Sequence, residues 1–196
     1  MKIWRLAADV NRYSNFTSQP KLTLEQIQSF DGSPKADKWI PLELQCIDEG
    51  TLPIGDALGF DMGFLVSQNA KSVLDELSAG TIEFLPLYYE SSEYYIANVL
   101  GVTDCLDRQK AKCLYSRSNK ERVLMVNKYA FDEKKIGDRC IFRLKDEPLR
   151  GLFVTEKAVS KIRSSHLTGF CFDLIWDSSA TDEMKTSCDG VILREY

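Results

Sequence analysis

Two aspartates, Asp104 and Asp107, are the residues whose type and spacing most directly suggest chemistry. They follow a long β-forming run that ends at Val102, and paired carboxylates can exchange protons or bind a hard cation. No third acid, glycine-rich loop or base adjoins them in the sequence. The favoured interpretation is therefore structural, with Asp104 capping the exit from the strand. A hydrolase or transferase that uses both acids, and contact with a partner, are the alternatives.

A cluster of tyrosines surrounds a short acidic stretch, Glu90-Ser91-Ser92-Glu93. The pattern predicts a hairpin with acids and serines at its tip and tyrosines in its stems. Tyrosine is enriched at protein interfaces, and exposed acids steer a basic partner. Glu90 and Glu93 are therefore candidate partner contacts, with Tyr89 and Tyr94 as anchors. The alternative is an ordinary solvated turn between paired aromatic residues.

Other residue types that carry chemistry give no recognisable site in the sequence. His166 is the single histidine, which excludes a site built on several histidines, and it is predicted to lie at a helix end. The six cysteines include no C-x-x-C pair and are predicted to be free thiols. Phosphate-binding loops and nucleophile motifs are also absent from the sequence. We therefore expect no catalytic, metal or cofactor-binding residues, and a protein that is not an enzyme.

Composition and charge restrict the class of protein. The 196 residues are 44% hydrophobic and carry a net charge of -4, which is ordinary for a globular domain. The acidic balance argues against nucleic acid as a partner. No stretch approaches the roughly 20 apolar residues that span a bilayer, and the first residues do not resemble a signal peptide. We expect a cytoplasmic protein without a membrane partner, and no pattern indicates its oligomeric state.

Two stretches of the chain share one layout of strand, capped amphipathic helix and strand. The first runs from Gly63 to Leu87, with Ser67 as helix cap, and the second runs from Gly151 to Trp176, with Thr155 as cap. Duplication and convergence would both explain this internal strand–helix–strand repeat.

The remaining segments complete the predicted architecture. Residues 9–40 and 48–62 are rich in turn-forming residues, and a short helix is expected near residues 23–28. Cys113-Leu114-Tyr115 is predicted to pair with the strand at 122–126, and the last six residues to form an edge strand. The whole pattern predicts one α+β domain over residues 1–196, with a mainly antiparallel sheet and two or more helices.

Several spaced motifs resemble family eleven of the immunity proteins of bacterial polymorphic toxin systems. They cover the chain from residue 1 to about residue 176. The matching pieces are Met1-Lys2-Ile3-Trp4-Arg5-Leu6 with Asp9, Trp39-x-Pro41, Tyr94-Tyr95-x-x-Asn98-Val99 with Asp104, Leu106-Asp107, Lys128-Tyr129-x-Phe131, Ile141-Phe142, Phe153-Val154-Thr155, and Leu167-Thr168-Gly169-Phe170-x-Phe172-x-x-x-Trp176.

The resemblance implies binding rather than catalysis. Proteins of this family are expected to protect the producing cell by capturing a cognate toxin, without a cofactor. An acidic immunity protein could be steered towards a basic toxin such as a nuclease. The competing hypotheses are the hydrolase or transferase using Asp104 and Asp107, and a regulatory scaffold without catalytic activity.

Overall fold

The computed structural model describes residues 1–61, 63–149, 151–180 and 193–196. Strands make up 41% of the structure and helices 18%. The predicted α+β fold with a mainly antiparallel sheet is wrong, because the strands form a closed six-stranded barrel, a six-stranded sheet and a two-stranded ribbon. In chain order the strands are β1 (Lys2–Ala8), β2 (Asn15–Gln19), β3 (Leu42–Cys46), β4 (Ala57–Phe60), β5 (Gly63–Val66), β6 (Ile82–Tyr89), β7 (Ser92–Val99), β8 (Val102–Thr103), β9 (Lys112–Tyr115), β10 (Val123–Lys128), β11 (Ile141–Leu144), β12 (Leu152–Thr155), β13 (Phe170–Asp177) and β14 (Leu193–Glu195).

The barrel has the strand order β2-β3-β6-β7-β5-β4, and pairing between β4 and β2 closes it. The contacts of β2 with β4 and of β3 with β6 are parallel, while the other four are antiparallel. Side chains such as Phe16, Leu58 and Leu65 belong to its buried core. As expected for a small barrel, the interior is packed with side chains.

The six-stranded sheet has the order β14-β13-β1-β12-β11-β8. Its central strand β1 comes from the start of the chain and pairs antiparallel with β12 and β13 from the last third. Consecutive residues of β12 belong to different hydrophobic clusters. Val154 packs in the cluster between the sheet and the barrel, and Phe153 packs in a second cluster on the opposite face of the sheet. The sheet is therefore buried on both faces, and it is covered on one side by the barrel.

Within the described residues, four helices and one 3-10 turn accompany these strands. The two longer helices pack against each other and contribute to the core between barrel and sheet. Thr23 caps the first helix, close to where the sequence predicts one. The helical segments are α1 (Leu24–Gln28), the 3-10 turn Ala36–Lys38, α2 (Gln68–Ser78), α3 (Glu133–Ile136) and α4 (Glu156–Ser164).

The two predicted strand–helix–strand stretches correspond to β5-α2-β6 and β12-α4-β13. In each of them the two strands are not direct neighbours. Strand β7 lies between β5 and β6, and β1 lies between β12 and β13, antiparallel to both strands that it separates. The two strands of each unit therefore run parallel, with a third strand inserted between them.

The ribbon β9-β10 covers the second face of the sheet together with α3. Its pairing confirms the predicted contact between Cys113-Leu114-Tyr115 and the strand near residues 122–126. The predicted edge strand at the end of the chain is found at Leu193–Glu195, paired with β13. Residues 191–192 of that prediction lie outside the described residues.

The five cysteines in the described ranges are free thiols, as predicted, and three of them are buried. Burial raises the pKa of Cys105 to about 12. Cys188 lies outside those ranges. No helix in the part of the chain that the structure describes is long and apolar enough to cross a membrane.

Candidate partner-binding site

The acidic stretch forms the tip of the hairpin between β6 and β7, as the sequence predicts. Tyr89 pairs with Ser92 across the turn, which leaves Glu90 and Ser91 as the two connecting residues. Glu90 adopts a left-handed backbone conformation with a φ of 53°, as tight hairpin turns require. All four residues from Glu90 to Glu93 are exposed. The hairpin therefore projects two carboxylates from one end of the barrel.

The tyrosines of the hairpin occupy different environments. Tyr94 is 7% exposed, and its ring centroid lies 6.2 Å from that of Phe16 inside the barrel core. Tyr89 is half-buried and meets Phe16 edge-on at 4.9 Å. Tyr88 is 38% exposed, which is more than either predicted anchor. Counting the alternation of side chains outward from the turn could have singled out Tyr88.

The two glutamates of the tip are held differently. Glu93 Oε2 lies 2.5 Å from the hydroxyl of Tyr95, which also lies 2.7 Å from Gln68 Oε1 on α2. Burial and the neighbouring Glu93 carboxylate raise the pKa of Tyr95 to about 12. Glu90 has no hydrogen-bond or ion-pair partner among the described residues. Glu93 is thus held by the hydroxyl of Tyr95 on its own strand, whereas Glu90 is available to a partner.

Asp104 and Asp107 lie beyond the opposite end of β7 from this tip. Strand β7 has 8 residues, so the tip and the start of the Asp104 segment are roughly 25 Å apart. Asp104 is exposed and forms an ion pair with Lys145 at 3.4 Å. The structure therefore does not bring the six predicted contact residues together, but places them in two separate regions.

Asp107 is held by its own loop. Lys110 Nζ lies 3.3 Å from its carboxylate, and the amide of Gln109 donates to it at 3.1 Å. Although desolvation acts in the opposite direction, these hydrogen bonds lower the pKa of Asp107. Within the described ranges, no group of three His, Cys, Asp or Glu side chains could hold a metal ion.

His166 follows the C-cap of α4, as the sequence predicts for a helix-end residue. Its amide donates to the carbonyl of Arg163 at 3.0 Å, and its φ is 54°. The imidazole is exposed. The observed contact gives the residue a role in ending the helix.

Sequence reasoning missed one further charged residue. Arg143 on β11 is 8% exposed and lines a cleft between the barrel and the sheet. The strand motif Cys140-Ile141-Phe142-Arg143-Leu144 contains one charged residue within an otherwise apolar run. That single charge within an apolar strand was the sequence feature that could have singled out Arg143.

No curated protein matches this chain in a search of such sequences. The model of one protein family, described as Immunity protein family (Imm11), matches residues 14–177. This match spans β2 to β13 and includes the acidic hairpin, the Asp104 segment and Arg143. The chain therefore belongs to the Imm11 immunity protein family.

Proposed function

We propose that the protein neutralises a cognate toxin by direct protein–protein binding. Membership of an immunity protein family carries this proposal. We further propose that the complex forms in the cytoplasm of the producing cell and that binding, rather than catalysis, provides the protection. A specific and stable complex buries about 800 Å² of each partner.

The tip of the β6–β7 hairpin is the proposed contact. It offers the carboxylate of Glu90, which has no partner in the part of the chain that the structure describes, together with the adjacent Glu93 and the exposed side chain of Tyr88. Such a surface suits a basic partner, because complementary charge accelerates association and an aromatic ring supplies buried contact area. Tyr89 and Tyr94 would then support the tip from within the barrel. Asp104 and Asp107 would form a second, separate contact.

The first experiment is co-expression with the toxin domain encoded beside this gene, scoring survival of the cells and co-purification. Rescue with a stable complex would support direct neutralisation. Rescue without a complex would favour an enzyme that repairs the damage, and loss of rescue in Asp104→Asn and Asp107→Asn variants would then implicate these acids. No rescue would contradict the proposal for this pair of proteins.

The hairpin contact is tested by the double charge reversal Glu90→Lys with Glu93→Lys. Exposed ion pairs contribute about 0.2–1 kcal/mol each, and reversal adds repulsion to this loss. We therefore expect roughly tenfold weaker toxin binding. The effect should lie mainly in the association rate and should shrink as salt is added.

A matched control carries the same charge change elsewhere. Glu121 in the turn of the β9–β10 ribbon and Asp138 after α3 are both exposed and belong to the elements on the face of the sheet that points away from the barrel. The variant Glu121→Lys with Asp138→Lys should bind the toxin normally if the hairpin is the contact. Unchanged affinity in the Glu90–Glu93 variant would remove the hairpin from the interface while leaving neutralisation itself intact.

A further inference from the structure

A cleft of about 420 Å³ opens between the barrel and the six-stranded sheet. Its walls are largely apolar and include Phe30 and Phe64 from the barrel side and Leu152 from the sheet. Its volume falls within the range of ordinary small-molecule sites, which are apolar clefts with a few placed polar groups. The cleft is therefore large enough to hold a group of several carbon atoms.

Among the described residues that line this cleft, Arg143 carries the most deeply buried charged group, a guanidinium. Its Nε donates to the carbonyl of Val99 at 3.0 Å, and its Nη1 donates to the carbonyl of Pro148 at 2.8 Å. Both partners are neutral. No carboxylate in the described part of the chain forms an ion pair with Arg143, although the charge of Asp31 acts on it. Desolvation dominates, and it lowers the pKa of Arg143.

A buried cation of this kind is unfavourable unless it is paired. A guanidinium has five N–H donors in a rigid fork, and the two carbonyls occupy two of them. The remaining donors include both on Nη2, for which no hydrogen bond is found within the described ranges. The unoccupied end of the fork has the geometry that binds a carboxylate with two parallel hydrogen bonds.

The other charged residues of the cleft restrict the charge of a ligand. Arg5 also lines the cleft, but it already forms an ion pair with Asp173 at 3.3 Å. Asp61 is exposed at the rim, where it accepts a hydrogen bond from Thr17 at 2.7 Å. A multiply charged anion such as phosphate would be repelled by Asp61 and poorly solvated by the apolar walls. A single negative charge on an apolar body fits these surroundings best.

We propose that this cleft binds a carboxylate carried on an apolar group, with the unoccupied edge of the Arg143 guanidinium holding the carboxylate. The apolar walls hold the rest of the ligand. The carboxylate can belong to a small molecule or to the end of a polypeptide, and the two sources share this chemistry. The inference does not depend on toxin binding by the acidic hairpin.

Calorimetric titration of the full chain tests the proposal with four probes. Octanoate supplies a carboxylate on an apolar chain, octanamide is its neutral analogue, and inorganic phosphate is an anion without an apolar body. N-acetyl-Leu-Phe with a free carboxylate, compared with its amide, represents a polypeptide end. We expect each carboxylate that binds to do so at one site, about tenfold or more tightly than its amide, and phosphate not to bind.

Two substitutions locate the binding site. Arg143→Lys removes the fork but retains the charge, so it should reduce the preference for carboxylate over amide without eliminating it. Leu149 is 51% exposed at the mouth of the cleft, so Leu149→Asp should leave the fold intact while repelling the ligand. We expect about tenfold weaker carboxylate binding in Leu149→Asp. Ile40→Asp, at a position that is 77% exposed and outside the cleft, should bind as the unmodified chain does.

The results distinguish the two sources of the carboxylate. Tighter binding of octanoate than of the peptide identifies a small carboxylate as the ligand, and the reverse order identifies a polypeptide end. Equal binding of acid and amide, absence of binding by both carboxylates, or unchanged affinity in Leu149→Asp would overturn the proposal.

Discussion

At the scale of single residues, Glu83 shows how one carboxylate can fasten a loop to the barrel. It accepts hydrogen bonds from the amides of Lys35 and Ala36 at 2.8 and 3.0 Å, and from the side chain of Asn98 at 2.9 Å. Desolvation favours the neutral acid, but the hydrogen bonds outweigh it and lower the pKa of Glu83 below its ordinary value of 4.5. The 3-10 turn Ala36–Lys38 is thereby attached to β6.

We predict that Glu83→Gln removes an acid-sensitive part of the stability. Because the folded state has the lower pKa, the contribution of Glu83 is fully present above pH 4.5 and is lost as the pH falls through the folded value. Hydrogen bonds to charged groups contribute roughly 1.5–3 kcal/mol, so the variant should be less stable by this order at pH 7. Urea unfolding from pH 7 to pH 3 should show the two proteins converging.

The control for this prediction is Glu43→Gln, which removes the same charge from an exposed position on β3. Its stability should run parallel to that of the unmodified chain at every pH. A constant difference between Glu83→Gln and the unmodified chain from pH 7 to pH 3 would show that the carboxylate charge does not stabilise the loop.

At the scale of elements, the helix caps were predictable but their contacts were not. Ser67 caps α2 by accepting from the amide of Ala70 at 3.2 Å, and its hydroxyl also donates to Asp56 at 2.7 Å. Asp56 in turn accepts from the amide of Thr168 at 2.9 Å, beyond α4. Thr155 stands at the equivalent position of α4, yet its side chain makes no capping hydrogen bond.

The two caps therefore provide a matched pair of substitutions. Ser67→Ala should lower the free energy of unfolding by about 1 kcal/mol, the usual loss for a capping hydroxyl, and the link to Asp56 should add to this loss. Thr155→Val keeps the branched shape of a side chain that does not cap, so it should change stability by less than about 0.5 kcal/mol. Urea unfolding measures both. Equal losses would mean that the observed cap of α2 does not stabilise the helix.

The barrel was missed because two of its strands do not look like strands. Strand β2 has the sequence Asn15-Phe16-Thr17-Ser18-Gln19, where buried Thr17 and Ser18 replace the usual apolar residues. Ser18 accepts a hydrogen bond from the amide of Leu22 at 3.2 Å, which compensates for its burial. The local composition of such a segment predicts a loop. The strand forms because its pairing partners, which lie elsewhere in the chain, stabilise it.

Strand β4 was not predicted because it contains a glycine. Gly59 pairs with Asn15 in the parallel contact that closes the barrel, and a Cβ at this position would lie 2.1 Å from Asn15 Oδ1. The glycine permits close approach of the two strands, although in the sequence it reads as a turn residue. The β6–β7 hairpin and the ribbon were predictable because their strands are adjacent in the chain. Closure between distant segments carries no comparable local signal.

At the scale of the whole molecule, barrel and sheet share one hydrophobic core. It contains Val66 and Tyr95 from the barrel, Trp4 and Val154 from the sheet, and Leu74 from α2. The loop before β13 adds a backbone connection, since the amide of Ala57 on β4 donates to the carbonyl of Thr168 at 3.0 Å. From this shared core and this connection we predict that barrel and sheet unfold as one cooperative unit.

Gly169 stands at this connection between the two parts of the fold. Its φ is 80°, and a Cβ would lie 2.1 Å from the carbonyl oxygen of Ala57. Gly80 after α2 has nearly the same φ, 81°, but no atom within 4 Å of its Cβ position. Gly80→Ala therefore carries only the left-handed conformational penalty of about 1–2 kcal/mol, whereas Gly169→Ala must also displace backbone.

We predict that Gly169→Ala destabilises barrel and sheet together and by more than Gly80→Ala does. Trp39 packs on Phe30 of the barrel core, and Trp176 packs on Phe131 beyond the far face of the sheet. The third tryptophan, Trp4, lies in the core that barrel and sheet share, so proteins in which Trp4 and one of the other two are replaced by phenylalanine report each part separately. Urea unfolding should give the same midpoint from both reporters, shifted equally by Gly169→Ala, because the shared core couples the two parts. A shift confined to one reporter would mean that the barrel and the sheet unfold as separate units.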